Sequence, residues 1–230
     1  FLKKTSIKQK AYFVKKAGWI NVYKFFTKVH VWPRGFALEK INAPLFKNLK
    51  LSKVVCPIQQ SLADENPDVD AIYRLTSLLP IKFNFFKNVA LGEGSICPFN
   101  SQNTTWLNQA YPLMYLPSYC SFRMTDIWRS FVAQRIAWTC GWSILFHHST
   151  VKQKRNLHNL MHDFADEVPG YIHNYKIMNN LINLKLKSGM ENIKYNMILC
   201  YRELIRMNII DKKEMKLLNA WFNDLRSIKS

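Results

Sequence analysis

RMTDIWRSFVAQRIAW, residues 123–138, decides how the rest of the chain is read. Apolar residues at 127, 128, 131, 132, 136 and 138 recur at the helical period and leave Arg129 and Arg135 toward other faces, which predicts a helix. Thr125 can cap its start, and an acid in the first turn, Asp126, is favoured by the helix dipole by about 0.3–1 kcal/mol. The same carboxylate, if it stands beside a cleft, is also placed to act as a general base, worth about 10²–10⁴ in rate. Spacing leaves both readings open.

Working outward, IAWTCGWSILF at 136–146 is the longest apolar run, and it is far short of the roughly 20 residues that span a bilayer, so it reads as a core element. Short stretches rich in β-branched and aromatic residues, INVYKFF, SKVVCPI, DAIYRLT and SILFHHS, predict strands between turn-forming residues. From about residue 173 the pattern is helical: YKIMNNLINLKLK, KYNMILCYRELIRM and KKEMKLLNAWFNDLRS. Asp211 with Glu214 three residues on has the spacing of a capping box. Strands mixed with helices and then helices alone predict an α/β body over 1–170 and a helical C-terminal subdomain over 171–230. The chain opens on Phe1, as expected of a piece of a longer protein whose upstream part carries any signal or anchor.

With 230 residues, 48% hydrophobic, the chain can bury a substantial core. The net charge of +18 is uneven, since residues 1–60 hold 13 Lys/Arg against one acid, Glu39. That end attracts anions such as nucleic acid, an anionic membrane surface or a nucleotide-sugar diphosphate. No helix-turn-helix, zinc-finger or RNP-type motif accompanies the charge, which argues against nucleic acid. Five cysteines without CxxC spacing signal neither a zinc site nor a dense disulfide frame. A P-loop, GxGxxG and hydrolase signatures are absent.

Several segments could carry chemistry. In WPRG, Pro33 fixes one backbone angle and Gly35 frees another, presenting Arg34 on a shaped turn that suits a phosphate or a carboxylate. ADENPDVD places Asp64, Glu65, Asp68 and Asp70 within seven residues. Asp68 and Asp70 could ligate a hard cation, although a metal-binding pair would normally end a strand rather than precede one, so a solvated or arginine-paired loop competes. FNSQNTT supplies Asn100, Gln102 and Asn103, amides that can donate to and accept from sugar hydroxyls or cap a loop. His158 and His162 lie four apart and could share a helix face.

Taken in order, VWPRGFALEKI, IQQSLADENPDVDAIYRLT, PFNSQNTTW, RMTDIWRSFVAQRIAW, RNLHN…DFADE and DKKEMKLLNAWFNDL resemble the STELLO family of glycosyltransferases, with plant Golgi and nematode members. The resemblance is collinear from about Asn21 to the end. It implies a GT-A-like nucleotide-diphospho-sugar transferase fold, here without its N-terminal part, in the Golgi lumen on a membrane anchor outside this chain. It further implies transfer of a sugar from a nucleotide diphosphate to a glycan or protein hydroxyl. By analogy Asp126 is the catalytic base, Arg34, Arg129 and Arg135 offset diphosphate charge, and Asn100, Gln102 and Asn103 hold sugar hydroxyls. Such enzymes hold Mn or Mg at an acidic motif that is not present in this chain, and a late histidine completing the metal shell would be His158. A non-catalytic Golgi scaffold that keeps the transferase shape and binds membrane enzymes is the alternative.

Overall fold

The computed structural model describes residues 6–47, 49–85 and 87–228. Its first half runs through strands β1 (Lys8–Val14), β2 (Gly18–Trp19), β3 (Lys50–Val55) and β4 (Ile58–Glu65), helix α1 (Ala71–Thr76), and strands β5 (Asn88–Leu91), β6 (Ser95–Ile96) and β7 (Thr104–Trp106). Helix α2 (Thr125–Thr139) and strand β8 (Ile144–Gln153) follow, then helices α3 (Leu160–Asn183), α4 (Ile193–Arg206) and α5 (Glu214–Ser227). Six strands form a mixed sheet in the order β3-β1-β5-β8-β4-β7, and β2 pairs with β6 in a second small sheet. Neighbouring strands β4 and β8 of the six-stranded sheet are parallel, so the chain must cross the sheet between them, and α1 and α2 lie in that crossover.

The helix predicted from 123–138 forms, but it is not a surface helix. Residues Ile127 to Gln134 of α2 are all buried, with Ile136 and Ala137 beyond them, because α3 and α4 pack on α2 and its apolar side chains join the core cluster that includes Val89 and Ile144 of the sheet. A helix enclosed on all sides must satisfy its polar side chains internally. Gln134 accepts from the Cys97 amide at 3.1 Å and donates to the Ser130 carbonyl, and Trp128 Nε1 donates to Asn174 of α3 at 2.9 Å. Its start differs from the expected cap: Met124 occupies the cap position, and the Thr125 hydroxyl donates to the Phe122 carbonyl instead.

Two predicted strands are helical turns. INVYKFF becomes a 3₁₀ turn over Val22–Phe25, because Asn21 accepts from the Tyr23 amide at 3.2 Å and closes the chain locally. DAIYRLT becomes α1, because Asp70 caps it by accepting from the Tyr73 amide at 2.8 Å. In both, a side-chain cap outweighs the strand propensity of the apolar run. SKVVCPI is split, its first residues ending β3 and Ile58 opening β4 across Cys56 and Pro57, while SILFHHS lies in β8 as expected. Asp211 accepts from the Lys213 amide at 2.7 Å, but Glu214 turns away from it and accepts from Tyr115, Ser118 and Tyr119.

Helix α3 runs through residue 170, where the sequence reading set a boundary, and the apolar residues on both sides share one core. Phe131 and Ile136 of α2, Met178 and Leu181 of α3, Met197 and Leu204 of α4 and Leu218 of α5 are all in it. Among the described residues no helix is long and apolar enough to cross a membrane, and all five cysteines are free.

Candidate functional site

The WPRG turn is fastened from three sides. Gly35 has φ +82°, a left-handed conformation suited to glycine, and a Cβ there would collide with Ile127 of α2. Its carbonyl accepts from Asn174 of α3 at 3.0 Å, and the Arg34 amide donates to the Asp68 carbonyl at 3.0 Å. This fixes Arg34, 7% exposed, between two carboxylates. Its Nε donates to both Asp68 oxygens at 2.9 and 3.1 Å, its Nη2 donates to Asp68 Oδ2 at 2.9 Å and to Asp126 at 3.0 and 3.1 Å, and its Nη1 donates to the Arg123 carbonyl. The arginine predicted to suit a phosphate or a carboxylate thus has carboxylates of its own chain. Burial alone would raise the Asp68 carboxyl, but the charge and hydrogen bonds of Arg34, with Arg123 and Arg74 behind, hold it below the ordinary value.

Of the two acids on Arg34, Asp126 is the one that lines a cleft. Arg34, Ser101, Leu116, Phe122, Arg123, Thr125 and Asp126 line an open cavity of about 250 Å³, and the Asp126 side chain is 16% exposed. Besides Arg34, Asp126 Oδ2 accepts from the Ser101 amide at 3.0 Å. A carboxylate offers about four acceptor sites, so these bonds orient it and leave acceptor capacity on Oδ1.

The other residues singled out from sequence are distributed around or away from this cleft. Asp70 is fully buried, accepting from the Tyr73 amide and from Trp32 Nε1 at 2.6 Å. Burial pushes its carboxyl up to about 6, against the lowering effect of those two bonds. Asn100 accepts from the Gln102 amide at 2.9 Å, Gln102 donates to the Asn66 carbonyl at 3.2 Å, and Asn103 donates to the Leu62 carbonyl and to Thr150. Their amides knit the loop to β4 and its surroundings. Arg129 is buried, reaches Ser101 Oγ at 3.1 Å and lies over the Trp106 ring at 4.9 Å, with its Nε unpartnered. Arg135, nine residues along α2 from Asp126 or about 13 Å at 1.5 Å per residue, donates to the Leu181 and Leu184 carbonyls and closes the end of α3. His158 is 43% exposed, with Nδ1 3.7 Å from Asp163.

A second charged layer lies behind the cleft wall. Arg123 Nε donates to Glu167 at 3.0 Å, while Glu167, fully buried, also accepts from the Ala71 amide and from the Tyr171 hydroxyl at 2.8 and 2.7 Å. Asp163, one turn earlier in α3, pairs with Arg155. Sequence reading had not assigned roles to these residues. The available signal was the spacing of Asp163 and Glu167, four apart on one helix face, a like-charge pair that calls for cations opposite.

Asp68 is matched by Arg34, Asp70 caps α1, and among the described residues no group of three or more His, Cys, Asp or Glu side chains could hold a metal ion.

The mixed sheet with helices and a charged cleft is compatible with a glycosyltransferase-like fold. Residues 123–230 match the family model described as STELLO glycosyltransferases. Two proteins of Arabidopsis thaliana are similar. "Probable glycosyltransferase STELLO2" is 26% identical over 216 residues, 90% of this chain and 28% of that protein. "Probable glycosyltransferase STELLO1" is 31% identical over 132 residues, 53% of this chain and 17% of that protein. These matches support the STELLO-type family for this chain, as its ordered motifs implied. The chain spans little more than a quarter of the length of the first relative and about a sixth of the second.

Proposed function

We propose that this chain supplies the acceptor side of a glycosyltransferase site in the Golgi lumen, where a sugar passes from a nucleotide diphosphate to a hydroxyl. The observation that carries the reading is Asp126, held by Arg34 and the Ser101 amide in the first turn of α2, on the wall of an open cleft. Its carboxylate takes the proton of the acceptor hydroxyl as the oxygen attacks the anomeric carbon, and the nucleoside diphosphate leaves with the bonding pair. Arg34 orients the base, and Arg123, on the same wall, contributes positive charge toward the developing negative charge. The printed names of the relatives support the activity class. The donor sits against parts of the site beyond this wall.

The test is Asp126→Asn in the full-length protein, assayed by transfer from nucleotide sugars with and without Mn²⁺. Turnover falls about 10²–10⁴-fold while thermal stability stays close to wild type. Undiminished turnover would remove Asp126 from the chemistry. A second reading, a Golgi scaffold that retains the shape and binds membrane enzymes, is favoured by one observation: Arg34, Asp68, Asn100, Gln102 and Asn103 already satisfy one another or their own backbone. A nucleotide-sugar ligand raises the melting temperature of an enzyme and leaves that of a scaffold unchanged.

A further inference from the structure

The basic excess of residues 1–60 has a definite location and a definite chemistry. Twelve of its thirteen cations are lysines, and the one arginine, Arg34, is sequestered between Asp68 and Asp126. The antiparallel register of β1 and β3 sets Lys10 opposite Lys53 and Tyr12 opposite Leu51. Directly opposed side chains share a face, and like charges so placed repel. Lys8 stands two residues from Lys10 and therefore on the same side. Lys10, Tyr12, Leu51, Lys87, Asn88 and His148 line a single open groove of about 440 Å³.

Lys8, Lys10, Lys53 and Lys87 are exposed, and none of them is in an ion pair among the described residues. Lysines on an edge strand blunt unwanted pairing, which accounts for Lys53 on β3. It does not account for Lys10 on the interior strand β1 or for Lys87, the residue just before interior β5. Apolar groups stand among these charges: Leu51 is 53% exposed, and Phe85, also exposed, lies 6.0 Å from the Lys87 ammonium.

We propose that this lysine-lined face of β1, β3 and the start of β5 docks on an anionic bilayer surface. Ammonium groups without ion-pair partners suit a diffuse field of lipid phosphates and carboxylates, where each is worth about 1 kcal/mol. A nucleic-acid partner would reward aromatic stacking and arginine forks, whereas the half-exposed aliphatic Leu51 gains by entering a lipid interface. The inference does not depend on the glycosyltransferase reading.

The test is co-sedimentation with phosphatidylcholine vesicles containing or lacking phosphatidylserine. Wild type sediments only with the anionic vesicles, and less as salt rises. Lys10→Gln/Lys53→Gln/Lys87→Gln binds about a hundredfold more weakly, close to fivefold per lysine. The control Lys185→Gln/Lys212→Gln/Lys216→Gln, which removes the same charge elsewhere, binds nearly as wild type. Leu51→Ser weakens binding further without changing its salt dependence. Lysine-reactive labelling of the wild type needs no variant to fold, and anionic vesicles protect Lys10, Lys53 and Lys87 from it. Equal losses in the two triple variants, no sedimentation with anionic vesicles, no protection, or capture of a single-stranded oligonucleotide by this face in place of vesicles would each overturn the proposal.

Discussion

Arg34 joins two acids that are 58 residues apart in sequence, Asp68 and Asp126, and both depend on it for neutralisation. Arg34→Met leaves Asp68, 13% exposed, without its cation, so stability falls by about 3–5 kcal/mol in urea denaturation. Asp70 gives the opposite pH signature to Asp68. Burial raises its carboxyl to about 6, so the folded chain holds a proton that the unfolded chain has already released. The contribution of Asp70 to stability therefore declines as pH rises from about 4 to about 6, by on the order of 3 kcal/mol. Asp68, held low, contributes above about pH 4 and loses that contribution as pH falls further. Urea midpoints measured from pH 4 to 7 should drop less in Asp70→Asn than in wild type. At this scale the sequence was partly legible. WPRG announced a presented arginine and TDIWR an acid at a helix start, but nothing in local spacing says that positions 34, 68 and 126 meet. Asn100, Gln102 and Asn103 were visible as hydrogen-bonding groups, and only the fold shows the backbone carbonyls and amides that occupy them.

Among elements, the closest fit is that of the WPRG turn on α2. Gly35→Ala forces a Cβ into Ile127 at a left-handed φ, and costs about 2–4 kcal/mol from backbone strain and overpacking together. Ile127→Ala removes the obstruction and opens a cavity, so the double variant should be less destabilised than the two single losses summed. A denaturant double-mutant cycle measures that coupling, and strict additivity would show that the turn does not rest on α2. Long elements with sustained periodicity, α2, α4 and α5, were readable because many residues vote for one face. Short runs were not. INVYKFF and DAIYRLT carry strand-forming residues, yet Asn21 and Asp70 each satisfy a backbone amide and turn the chain into helix. Glu214 shows the same limit, since its capping spacing is overridden by three donors from the segment Tyr115–Tyr119, ninety-odd residues away.

At the scale of the molecule, the buried apolar residues of the helices after residue 170 belong, among the described residues, to the same core as the sheet's. Ile177, Met197, Tyr201 and Leu204 are buried in the cluster that includes Phe131 and Ile144. Residues 171–230 produced alone should therefore show little helical circular dichroism, whereas an independently folding unit would retain most of it. That the chain ends in helices was legible from the change of period, while the shared core was not, because composition does not reveal which faces meet. The Arg34 clasp has a consequence in time as well. Its two partners close loops of 34 and 92 residues, and such loops are slow to form. The guanidinium should stay hydrated until the fold is nearly finished. Substituting it should then accelerate unfolding while leaving the refolding rate almost unchanged. Assembly of the cleft wall would thus be among the last events in the life of the nascent chain, and its loss among the first on denaturation.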